Sequence, residues 1–408
     1  RLADAAAPHR RRTLVLACIW HIGVLAGFKY TAFFTGGAVS VGWAPLGLSF
    51  FTFQQLWLLK EVYDGSFQLP AQDGLVLYAL FFPTVTSGPI LRPEAFFPQL
   101  GGPRFLHPDW EDAAAGLDGI VRGMAKKVLL ADALGVLVDN GWAGVDNLTA
   151  PGAWLVILAY TFQLYLDFSG YCDIAIGAAR LLGVRLPMNF DMPYRSRSVG
   201  EFWKRWHMTL TAFLRECVYF PLGGSRRGQG RTYLNILVVY LISGIWHGAG
   251  WTFIVWGLLH GAAQVTERLW GGRRDALPKW LRWVMTFFFL NLAWVFFRAP
   301  DMPAAAALLK TAVTGGFGGI RPWLVNGLFR REFSALELLA PAVRPYTAYL
   351  RVALILGAGL LTALWPRNTV RQMEVFRPTV RSCLTTALLA AWSILSFTGV
   401  VTFIYSNF

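Results

Sequence analysis

Between Leu234 and Ala262 no Asp, Glu, Lys or Arg occurs, yet His247 stands in the middle of the run Ser243-Gly244-Ile245-Trp246-His247-Gly248-Ala249-Gly250-Trp251. A stretch of that length reads as buried in hydrocarbon, where an ionisable side chain is costly enough to mark a functional site. Histidine is the side chain suited to moving protons near neutral pH. An imidazole beside a hydroxyl can take its proton as the oxygen attacks an acyl thioester, a contribution of roughly 10²–10⁴ in rate. A satisfied core histidine is the competing reading. Gly244, Gly248 and Gly250 would let backbones approach closely and open the helix, leaving amides to orient a ligand or polarise a carbonyl. Close helix packing explains them equally well.

His207 follows Trp203, Lys204, Arg205 and Trp206. It is a candidate second hydrogen-bonding or proton-handling group, with an interface anchor as the alternative. The block Phe162 to Asp173 adds Asp167, Ser169, Tyr171 and Asp173 to an apolar helix. The two carboxylates are six apart and do not share a helix face, so they are not a paired acid and base. An ion pair with Arg195, Arg205 or Arg215 explains them as well as substrate contact does. Candidate chamber-lining residues are therefore Trp246, Asp167, Ser169, Tyr171, Asn189, Trp203, Arg205 and Arg215. Asn189, Asp191, Pro193 and Tyr194 read as a turn into a cationic segment, Arg195 to Arg205, that would attract the phosphates of coenzyme A or an acidic carrier protein; a solvated loop is the plainer reading. A covalent acyl-enzyme through Ser169 or Cys172 stays open, although neither has an adjacent base. His9, His21, His107 and His260 have no supporting motif. G-x-S-x-G, H-E-x-x-H and P-loop patterns are missing, and Gly223 to Gly230 lacks the strand and lysine a P-loop needs. The four cysteines are scattered without zinc or redox spacing, so packing roles and no metal are expected.

The elements that must position these groups are set by composition. Of 408 residues 55% are hydrophobic and only 15% charged, and the mean hydropathy is +0.45. These values point to an all-α, polytopic integral membrane protein. The net charge of +14 comes in short basic clusters such as Lys126-Lys127 and Arg226-Arg227 between apolar runs. That pattern fits loops facing anionic lipid headgroups, and it argues against nucleic acid as a partner. Helices are expected near 13–34, 41–60, 73–91, 116–138, 151–183, 234–264, 280–298, 350–365 and 383–405. Pro- and Gly-rich segments at 82–89 and 215–224 should be broken, re-entrant or tilted half-helices around an internal chamber. Residues 113–138 fit a helix lying partly in the cytoplasmic interface. The least apolar stretch, 299–349, reads as loop and short helices. No internal repeat is visible, which disfavours a transporter built from duplicated halves. The chain reads as one domain, 1–408, that begins at Arg1 and is expected to lack N-terminal helices.

Several blocks in order give the chain a resemblance to a known family: Gly47-Leu48-Ser49-Phe50-Phe51-Thr52-Phe53-Gln54, Ser87-Gly88-Pro89-Ile90-Leu91-Arg92, Lys126-Lys127-Val128, Asp167 to Gly177, Asn189-Phe190-Asp191-Met192-Pro193-Tyr194, Phe202-Trp203-Lys204-Arg205-Trp206-His207, Trp246-His247-Gly248-Ala249, and the terminal Phe403-Ile404-Tyr405-Ser406-Asn407-Phe408. Together they resemble the membrane-bound O-acyltransferases, in particular the bacterial branch that includes alginate O-acetyltransferases. The resemblance implies a helical membrane fold with a central funnel or tunnel, with His247 as the essential histidine and His207 as a second site near the chamber. It also implies transfer of an acyl group, most simply acetyl, from a cytoplasmic thioester such as acetyl-coenzyme A to a hydroxyl, for modification of an extracytoplasmic polysaccharide. A multi-pass place in the bacterial inner membrane, no bound cofactor and a periplasmic or membrane acetyltransferase partner follow as expectations. The alternatives are D-alanyl transfer from a carrier protein for teichoic-acid modification, a polytopic transporter or flippase, and a relay that hands the acyl group to a separate transferase.

Overall fold

The computed structural model describes residues 2–4, 7–39, 41, 45–67, 69–397 and 404, and only the backbone of residue 331. The described residues form helices, turns and loops without a β-strand. The principal helices are α1 (Arg10–Lys29), α2 (Leu48–Asp64), α3 (Gln72–Leu80), α4 (Trp110–Met124), α5 (Asp132–Ala143) and α6 (Ala150–Leu181). They are followed by α7 (Gln229–His247), α8 (Trp251–Trp270), α9 (Lys279–Arg298), α10 (Met302–Thr314), α11 (Thr347–Leu364) and α12 (Val380–Leu395). Among the described residues, three segments are long and apolar enough to cross a membrane: Arg10–Lys29, Lys279–Arg298 and Pro341–Leu364.

The hub is α6. Its 32 residues span about 48 Å at 1.5 Å per residue. Thr149 caps its first turn by accepting from the Gly152 amide, Pro151 occupies a first-turn position where no amide is needed, and the chain leaves at Gly183 with φ +73°. It is apolar on most sides because α4, α5, α9, α10 and α11 all pack against it.

The α4 contact has a readable register. A Cβ on Gly123 would lie 2.5 Å from the Gly170 carbonyl oxygen, and one on Gly177 would lie 2.5 Å from that of Gly116. Position rises on one helix as it falls on the other, so the two run antiparallel with backbones in contact at glycines seven residues apart. Just beyond the Gly123 contact, a π-helical turn, Ala125–Ala131, carries Lys126 and Lys127 toward α6. The stretch lies along α6, where the buried carboxylates Asp167 and Asp173 meet those two ammonium groups.

The expected helix over 234–264 is two helices. They form a hairpin, α7 and α8, broken at residues 248–250 and pressed together where a Cβ on Gly244 would lie 2.4 Å from the Phe253 carbonyl oxygen. The Pro- and Gly-rich segment at 82–89 is one helical turn, Phe82–Val85, followed by irregular chain. Its buried backbone is satisfied from outside: the Ile90 amide donates to Thr209 Oγ1 at 3.0 Å, and Tyr78 Oη donates to the Leu91 carbonyl at 2.9 Å. The stretch 299–349 contains α10, the helix Arg330–Leu339 and two 3₁₀ turns. The terminal block 403–408 lies outside the described residues except for Ile404, whose amide donates to Asp167 Oδ2 at 3.1 Å.

Candidate active site

His247 is the last residue of α7. Gly248 starts the extended turn that follows, and a Cβ there would lie 2.1 Å from the Phe253 ring, so a side chain at this position would have to displace that ring. The imidazole is buried among the rings of Trp246, Trp256 and Phe297, at centroid distances of 4.8, 4.8 and 5.3 Å. Its Nδ1 lies 2.6 Å from the Ser243 carbonyl oxygen, one turn earlier. A carbonyl only accepts, so Nδ1 carries the hydrogen and, in the neutral ring, Nε2 carries the lone pair. The end of a helix leaves its last carbonyls without intrahelical donors. Here α1 supplies them: Tyr30 Oη donates to the Ile245 carbonyl, and Lys29 Nζ donates to the Trp246 carbonyl and, at 3.3 Å, to that of His247.

His207 is fully buried with a left-handed backbone, φ 45°. An outlier of this kind needs its surroundings to hold it. Asn189 does so. Its Oδ1 accepts from Thr209 N at 3.2 Å and Thr209 Oγ1 at 3.0 Å, and lies 3.2 Å from His207 Nδ1, while the Met208 amide donates to the Asn189 carbonyl at 3.0 Å. Because Oδ1 accepts, His207 Nδ1 also carries its hydrogen and Nε2 its lone pair. Trp246 lies beside both histidines, with its centroid 6.1 Å from the His207 ring.

The remaining candidates divide. Trp203 is buried and donates from Nε1 to Nδ1 of His260 at 3.1 Å, in the aromatic packing behind His247. Ser169 is buried near Asn189, and Tyr171 Oη is hydrogen-bonded to Thr86 Oγ1, tying α6 to the irregular segment. Asp167 pairs with Lys127 at 2.7 Å and Asp173 with Lys126 at 2.6 Å. This corrects the expectation of an arginine partner: Arg205 pairs with Glu201 at 3.0 Å, while Arg195 and Arg215 are exposed. The residues that sequence reasoning passed over are Lys29, Tyr30, Ser243, Trp256 and Phe297. Ser243 acts through a main-chain carbonyl that any residue one turn before His247 would present, and nothing local signals the others, because each acts through a contact made by folding.

The family model described as "MBOAT, membrane-bound O-acyltransferase family" matches residues 74–299, a span that holds both histidines and the Asn189 turn. The chain belongs to the membrane-bound O-acyltransferase family. It is 37% identical to the "Peptidoglycan O-acetyltransferase" of Helicobacter pylori, with 76% of this chain and 66% of that protein covered. It is also 37% identical to the "Probable alginate O-acetylase AlgI" of Azotobacter vinelandii, covering 80% and 67%. A "Teichoic acid D-alanyltransferase" of Bacillus subtilis is 28% identical, covering 62% and 68%. The chain thus spans about two thirds of the length of the curated relatives it matches.

For an O-acyltransferase fold, the approaches to the histidines matter most. A largely apolar cavity of about 550 Å³ lies between α1, α2 and α7 and ends on Phe53 and Trp246, one ring short of His247. A second cavity of about 640 Å³, bordered by α4, α11 and α12, shares Lys126, Tyr165 and Asn368 with a void of about 10 Å³ at Ser169, Cys172 and Asn189. That void is about one water in size and ends one hydrogen bond from His207. Neither cavity is lined by His247 itself among the described residues, so these approaches stop at Trp246 and at Asn189.

Proposed function

We propose that this chain is a membrane O-acyltransferase that moves an acyl group, most simply acetyl, from a thioester on the cytoplasmic side to a hydroxyl for modification of an extracytoplasmic polysaccharide. The observation that carries the reading is the tautomer of His247: with Nδ1–H held by the Ser243 carbonyl, the lone pair is on Nε2. The hydroxyl proton passes to Nε2 as the oxygen bonds to the thioester carbonyl carbon. The carbon–sulfur bond then breaks, and the leaving thiolate takes the proton back from the imidazolium, so the base is regenerated. His207, presenting the same tautomer beside Trp246, acts as a second hydrogen-bonding group for the acyl or acceptor oxygen.

The names of the relatives, two O-acetylating proteins and a more distant D-alanyl transferase, support acetyl as the group and a cell-surface polymer as the acceptor. Coenzyme A or a carrier protein presents the thioester, a periplasmic or membrane transferase is the partner that receives or completes the transfer, and the bacterial inner membrane is the place where both sides meet.

The test is transfer of label from acetyl-coenzyme A by membranes containing the chain with its partner and polymer. His247→Gln should lower kcat by about 10²–10⁴-fold with folding intact. Equal transfer by wild type and His247→Gln removes the imidazole from the mechanism. Substrate flux across vesicles without any donor would instead favour a transporter.

A further inference from the structure

We propose that Lys29 and Tyr30, at the end of α1, are positioning residues for His247: they cap the broken end of α7 and so fix where Nε2 sits. The proposal rests on the acyl-transfer reading for its catalytic consequence, but its structural half stands on geometry alone. His247 is the final helical residue, and three residues of non-helical chain follow before α8. Its Nδ1 bond reaches back to Ser243, so the tautomer and the ring direction both depend on the last turn of α7 staying wound. Helix ends fray unless their terminal carbonyls find donors, and hydrocarbon offers none.

The donors come from a helix more than two hundred residues earlier. An ammonium has three hydrogens. Lys29 Nζ meets three acceptors: the carbonyls of Trp246 and His247 and, at 3.5 Å, Ser49 Oγ. Tyr30 Oη takes the next carbonyl back, that of Ile245. A lysine at the end of an apolar helix ordinarily extends toward the headgroups. This one turns onto the negative end of the α7 dipole, where a cation is favoured. Trp246 is held by the same neighbourhood, with its ring 4.9 Å from that of Phe53 and its Nε1 donating to the Ser49 carbonyl at 3.4 Å.

The experiment compares Lys29→Met, Lys29→Arg and Tyr30→Phe in the full chain, reconstituted in lipid. A displaced base of about 1 Å costs about 10²-fold, so Lys29→Met should lower kcat by that order with KM unchanged within about twofold, and Lys29→Arg should recover most of the loss. Independently of activity, amide hydrogen exchange over 243–248 should quicken by about tenfold in Lys29→Met, return with Lys29→Arg, and stay unchanged elsewhere. Wild-type exchange at 243–248 in Lys29→Met overturns the proposal, as does a loss that spreads over the whole chain and is not restored by arginine. If Lys29→Met does not fold, Tyr30→Phe decides: faster exchange confined to the same turn supports the cap, and unchanged exchange overturns it. A wild type that transfers no acyl group would sink the enzymatic reading while leaving the exchange result to judge the cap.

Discussion

At the scale of single residues, the site depends on carbonyl oxygens that fix imidazole tautomers. Ser243 does this for His247 through its main chain, which no side-chain substitution removes. Asn189 does it for His207 through its side chain, and there it can be tested. Asn189→Ala leaves His207 Nδ1–H and the Thr209 amide buried without their acceptor, which should cost about 1–3 kcal/mol and lower the unfolding midpoint of the solubilised protein. The cost should exceed that of Ser169→Ala, whose hydroxyl supports no such turn; equal midpoints would remove Asn189 from its organising role. His247 stood out in the sequence because a polar side chain in an uncharged apolar run does, whereas His207 and Asn189, beside charged residues, were singled out by the blocks they belong to. Lys29 was not legible as part of the site. A lysine closing an apolar helix reads as an interface anchor, and only the fold reveals that it faces inward.

At the scale of elements, the glycines explain why one helical expectation succeeded and another failed. The long apolar run at 151–183 became α6 nearly as drawn, since caps and length decide a helix of that kind. The run at 234–264 lacks such punctuation at its ends but carries Gly244, Gly248 and Gly250 in its middle, and the backbone contact of Gly244 with Phe253 requires a hairpin. The ion pairs follow the same logic. Asp167 meets Lys127 because glycine contacts set the register of α4 against α6, and no local spacing around Asp167 carries that information. The pair is a strong test of the register. Lys127→Met leaves Asp167, whose side chain is 1% exposed, without its ammonium partner, and should destabilise the protein by about 3–5 kcal/mol. Adding Asp167→Leu should recover a large part of that loss, because the uncompensated carboxylate is gone. A double variant as unstable as the single one would show that the lysine acts through its other partner, Asp132 at 2.6 Å, or through packing, and not through Asp167. Thermal unfolding in one detergent across the three proteins reads this directly.

At the scale of the whole molecule, exposed apolar surface and buried charge divide the chain between lipid and water. Leu16 and Trp20 of α1 are 67% and 70% exposed and Leu388 of α12 is 71% exposed, an apolar belt that hydrocarbon covers. Away from the membrane-crossing helices, four segments meet at Asp112 near the start of α4. Arg180 at the end of α6 and Arg185 beyond it bind its carboxylate at 2.7 and 2.6 Å, and Arg104 approaches to 3.8 Å. Burial alone would raise the Asp112 pKa, but the hydrogen bonds and charges of Arg180 and Arg185 outweigh it and hold the group below its usual 3.8. A carboxylate whose folded pKa is depressed contributes stability that is fully present above the unfolded value and is lost as pH falls through the folded one. The wild type should therefore lose stability as pH drops below about 4, with a slope that Asp112→Asn lacks. At neutral pH the variant should already be the less stable of the two, so its midpoint should start lower and the two curves should converge on acidification. Parallel curves from pH 7 downward would show that the arginines do not depend on this carboxylate, and that the α4 and α6 ends are joined by the glycine contacts alone.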